Sequence, residues 1–80
     1  MRFRKRPVVI EAEQFHSTNL PLPFRNEGVV LFNGARWYVE TLEGPLFISD
    51  DDWIIKGVQG EFYPCKPDVF VATYEPADCV

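Results

Sequence analysis

Apolar and polar positions alternate with a period of two through most of this chain, and that alternation predicts strands rather than helices. From Pro7 to Phe15, Val8, Ile10, Ala12 and Gln14 fall on one face, and Val9, Glu11, Glu13 and Phe15 on the other. The pattern predicts a strand that is apolar on one side for most of its length. Gln14 falls on the inward face near its end, placed either to satisfy neighbouring backbone or to project its amide into a pocket. Ser17 to Gly28 contains Asn19, Pro21 and Pro23, so it predicts a loop with at most one helical turn. Val29 to Phe32 is a short apolar run followed by Asn33-Gly34, the strongest two-residue hairpin signal because both residues tolerate positive φ. The return strand runs from Ala35 to Thr41, with Trp37, Val39 and Thr41 on one face.

Glu43-Gly44-Pro45 predicts the next turn and Leu46 to Ser49 the next strand. Asp50-Asp51-Asp52 breaks the alternation, and Trp53 to Val58 resumes it, with Trp53 and Ile55 on one face and Ile54, Lys56 and Val58 on the other. Gln59-Gly60 turns the chain into Glu61-Phe62-Tyr63, and Pro64 and Pro67 are expected to end regular pairing. Pro67-Asp68 is a helix start, with Phe70 and Tyr74 at i,i+4 spacing, and Pro76 limits that helix to one or two turns. The expected fold is mainly β (small α+β), with residues 1–80 as a single domain. It is a curled antiparallel sheet or small β-barrel of five to six short strands with one short C-terminal helix. A sandwich would usually need more residues.

An 80-residue chain buries only about 60–65% of the surface its unfolded form exposes, so its stability margin is thin. The aromatic content of 15% is high enough to exceed what one face of each strand can bury. Trp37 and Tyr38 are adjacent and point to opposite faces, as do Phe62 and Tyr63. One ring of each pair must therefore lie outside the central core, against a loop, a ligand or another subunit. Arg2, Arg4, Lys5 and Arg6 open the chain; four cations there and a net charge of −4 leave −8 for the remainder. A basic arm on an acidic body reads as a charge-protected edge strand or as an anion site. An acidic body disfavours duplex nucleic acid. No apolar run is long enough for a secretory signal or a membrane span, which predicts a cytoplasmic protein with Cys65 and Cys79 as free thiols.

Chemistry-bearing clusters are sparse. Three consecutive aspartates point in different directions and read as a turn rather than a cation site. His16 is the single histidine, without the partner spacing that zinc needs. Cys65 beside Lys66 could have its thiol acidified, but a small thiol packed beside prolines is the stronger reading. No catalytic residue, metal or cofactor is therefore assigned. The binding candidates are aromatics beside Lys56, Lys66 or Arg36, where a ring stacks a base while the cation meets phosphate. Trp37, Trp53 and Tyr63 would enclose the base, Arg4, Lys56 and Lys66 would meet phosphates, and Gln14 would read an edge.

The opening Arg4-Lys5-Arg6-Pro7-Val8-Val9-Ile10-Glu11-Ala12-Glu13-Gln14-Phe15 resembles that of a widespread family of small phage and prophage proteins. Asp52-Trp53-Ile54-Ile55-Lys56-Gly57-Val58, Gly60 to Phe70 and Thr73-Tyr74-Glu75 resemble its close. The two ends cover roughly half the chain. Position 15, often tryptophan in such relatives, is phenylalanine here, and Asp51 stands where glycine is common. The resemblance implies a viral accessory protein acting in the cytoplasm of an infected bacterium, and it brings no catalytic motif. The expected function is anti-defence: a homo-oligomer that sequesters a small nucleotide-derived immune signal, of cyclic-nucleotide or ADP-ribose type, without cleaving it. The rivals are a protein-binding inhibitor of a host enzyme, a minor structural virion protein and a nucleotide-cleaving enzyme.

Overall fold

In a computed structural model, which describes Met1 and residues 9–75, the described residues form six short strands and one helix. The strands are β1 (Glu11–Gln14), β2 (Val30–Phe32), β3 (Trp37–Thr41), β4 (Gly44–Phe47), β5 (Trp53–Lys56) and β6 (Phe62–Cys65), followed by α1 (Pro67–Thr73). The mainly β expectation with a short C-terminal helix holds. The strands divide between two antiparallel sheets of three, ordered β1-β5-β6 and β2-β3-β4, and do not close into a barrel. Arg4, the Pro7–Val8 start of the first expected strand, and Cys79 lie outside the described residues.

The two sheets share one apolar core of Phe15, Phe24, Val30, Val39, Ile48 and Ile54, with Leu22, Val29, Trp37 and Phe62 packed against it. Alternation explains who enters it. Val30 lies opposite Val39, and Glu13, Ile54 and Pro64 lie in register across β1, β5 and β6. Ile54, Phe62 and Phe15 therefore face the core from one sheet, and Trp37 and Val39 from the other. The apolar stripe expected on the first strand (Ile10, Ala12, Gln14) is on the opposite side, where Ala12, Ile55 and Tyr63 align across the sheet. That side belongs to α1: Phe70 stacks on Trp53 with centroids 4.2 Å apart and planes at 8°.

Turn chemistry departs from expectation in two places. In the first hairpin Gly34, not Asn33, takes positive φ (97°), while Asn33 Oδ1 accepts from the backbone N–H groups of Ala35 and Arg36. Asn33 is thus the turn's cap rather than one of its strained residues. In the second, the turn closes at Gly44 (φ 101°), so Pro45 already belongs to β4. Pro45 and Pro64 both sit within paired strands, opposite Glu40 and Ile54. Pro64 therefore does not end pairing, because β4 and β6 are edge strands where a missing N–H costs no ladder bond. Phe24 is buried at φ 50°, a conformation costly for a bulky residue. Its edge-to-face contact with Phe62 and its place in the core hold it there.

Candidate functional site

The three aspartates that break the alternation are used singly and diverge. Asp50 accepts from the Ser17 backbone N–H and hydroxyl, and these bonds lower its carboxyl below the ordinary value, the backbone bond most. Asp51 adopts φ 77° and lies 3.2 Å from His16 Nδ1. This left-handed backbone is one that favours glycine, so a non-glycine residue holds it at a cost. Asp52 is only 2% exposed; its Oδ2 accepts from the Ser49 N–H at 3.0 Å and from Lys66 Nζ at 3.1 Å. That ion pair ties the residue before α1 to the core end of β5.

The pair also bears on Cys65, whose acidification by Lys66 is the weaker of two readings. Lys66 is turned to Asp52 rather than to its neighbour Cys65, whose thiol is pushed up by burial first and then by Asp52 and Asp68. Cys65 is thus a less available nucleophile than a free thiol. Lys56 Nζ lies 3.5 Å from Glu27 Oε1 and 5.8 Å from the centre of the Phe62 ring. Both lysines proposed for phosphate have carboxylate partners.

The aromatic candidates separate. Gln14 and Trp53 are in register on the α1 side of the first sheet, and Tyr63 is two positions from Cys65, Trp53's other neighbour. The Gln14 amide donates to the Asp51 carbonyl at 3.0 Å, the backbone-satisfying role. Trp53 is covered by Phe70. Tyr63 has its phenol pushed up to about 12 by burial and by a hydrogen bond with Tyr74. Trp37 lies on the other sheet, packed on Phe15 and Phe32 at 5.4 and 4.9 Å. Gln14, Trp53 and Tyr63 thus share one face, and Trp37 is not part of it.

The outer face of β2-β3-β4 is where ring and cation meet in the open. Leu31, Tyr38 and Phe47 form one cross-strand row. The Arg36 guanidinium sits 3.9 Å from the centre of the Phe47 ring, and Phe47 is 51% exposed. Among the described residues no carboxylate lies within ion-pair distance of Arg36. The signal was present in sequence, since Arg36 and Tyr38 share a face by alternation, but Phe47 joined them only through register. A groove of about 660 Å³ between β1 and the 21–27 loop is lined by Glu11, Glu13 and Glu27 with Arg25, a poor setting for an anion. The chain matches no protein-family model, and neither a curated protein nor a solved structure matches it.

Proposed function

We propose that this chain is a non-catalytic accessory binding protein, of the viral kind its two ends resemble, that sequesters a nucleotide-derived ligand in the host cytoplasm. The binding surface in this reading is the outer face of β2-β3-β4. One observation carries it: an arginine without a carboxylate partner among the described residues lies over an exposed ring and beside a second ring. A planar base stacks on Tyr38 and Phe47 while the Arg36 guanidinium meets phosphate through charge-assisted bonds. Calorimetry against cyclic nucleotides and ADP-ribose tests this. Arg36→Ala is expected to weaken binding about tenfold or more, the loss of one charge-assisted contact. Lys56→Ala is expected to leave it unchanged. No heat from any member of the panel refutes the reading.

A second reading is docking of a host protein, favoured by exposed Phe32, Leu42, Leu46 and Phe47 on and around the same sheet. It predicts one bacterial protein retained from host extract and no nucleotide affinity.

A further inference from the structure

Each sheet has two outer strands, and the four differ in what they present to an incoming chain. β1 carries Glu11 and Glu13, β4 carries Pro45, and β6 carries Pro64. Charge and proline are the devices that keep strand edges from pairing with one another. β2 has neither: it is Val30-Leu31-Phe32. Among the described residues, Val30, Leu31 and Phe32 make no backbone hydrogen bond outside their ladder with β3. An apolar hollow of about 250 Å³ lined by Val30 and the Leu20–Pro23 loop lies alongside. Phe32 is 52% exposed.

We propose that β2 is the self-association edge of this protein, pairing antiparallel with β2 of a second copy about a two-fold axis at Leu31. Such an interface is isologous. Val30 meets the partner subunit's Phe32, and Leu31 meets the partner subunit's Leu31. No charge opposes a like charge in this register. The same operation on β1 brings glutamates against one another when Glu11, Ala12 or Glu13 lies on the axis, so repulsion disfavours that edge in three of its four registers. Pairing through β2 joins the two three-stranded sheets into one of six strands. It also continues the Leu31-Tyr38-Phe47 row across the axis into its copy. The second copy is favoured over an unrelated strand because its row extends this one with matching side chains.

Light scattering between micromolar and millimolar protein tests the pairing without reference to any ligand, so its failure and that of the nucleotide reading are separate. The wild-type mass is expected to double with concentration, and Leu31→Lys, a charge on the outer face of the edge, to remain at one chain with unchanged circular dichroism. Hydrogen exchange on the wild type serves if that variant does not fold: the outward-facing amides of Val30 and Phe32 gain protection with concentration while those of 11–14 do not. A mass fixed at one chain, a dimer that survives in folded Leu31→Lys, or protection that grows elsewhere overturns the proposal.

Discussion

The two sheets have the same strand count and antiparallel pairing, yet among the described residues α1 packs on the outer side of one and no helix packs on the outer side of the other. In β5, Ile54 and Ile55 are adjacent, point to opposite sides and are both fully buried. Ile54 faces the shared core, and Ile55 lies on the side where α1 sits. In β3, Val39 is fully buried while its neighbours Tyr38 and Glu40 lie outward. A seven-residue helix therefore decides which aromatics of the two sheets are covered. It occupies Trp53 and Tyr63 internally and leaves Tyr38 and Phe47 as the surplus. In a chain with a thin stability margin, rings spent on a second small core are withdrawn from the surface.

The sharpest way to break this comparison is to truncate both outward positions. Ile55→Ala is expected to cost about 2–5 kcal/mol, as for a core residue, because its side chain is fully buried. Tyr38→Ala is expected to cost about 0.5 kcal/mol, as for a surface substitution. Urea unfolding measures both, and similar costs would erase the distinction between the sheets.

Alkaline titration gives a smaller effect at the helix contact. The Tyr63 phenol is raised in the fold, so its contribution to stability is complete below the ordinary tyrosine range and is lost as pH rises toward about 12. Tyrosinate absorbance should show one late-titrating group, and Tyr74→Phe should move it partway down, burial remaining. Tyr63 titrating in the ordinary tyrosine range would mean that its phenol is neither buried nor bonded to Tyr74.

The smallest effect belongs to Asp50, on the loop that joins the two sheets. Its lowered carboxyl stabilises the fold above the ordinary carboxylate range, and that contribution disappears as pH falls through and below the range. Ser17→Ala should flatten this acid dependence slightly in thermal unfolding followed against pH. An unchanged profile would remove Asp50 from the account.

Much of the fold was legible because its signals are local. The alternation in 37–41 and 53–56, the Asn33-Gly34 corner and the Pro67-Asp68 helix start each act within a few residues. The expected site was less legible. Lys66 looked available beside Cys65 until folding placed it against Asp52, fourteen positions away. Lys56 met Glu27 in the same way, from twenty-nine positions away. Trp53 met Phe70 only because the chain doubles back after β6.

The sequence by itself determined that this protein is strand-rich, with turns at its Asn-Gly and Gly positions and more rings than one core accepts. Backbone sterics and side-chain alternation impose those features within each segment. The tertiary structure decided which rings stay outside and which cations keep a carboxylate. Those outcomes depend on distant segments meeting, and no local preference encodes the partner that arrives.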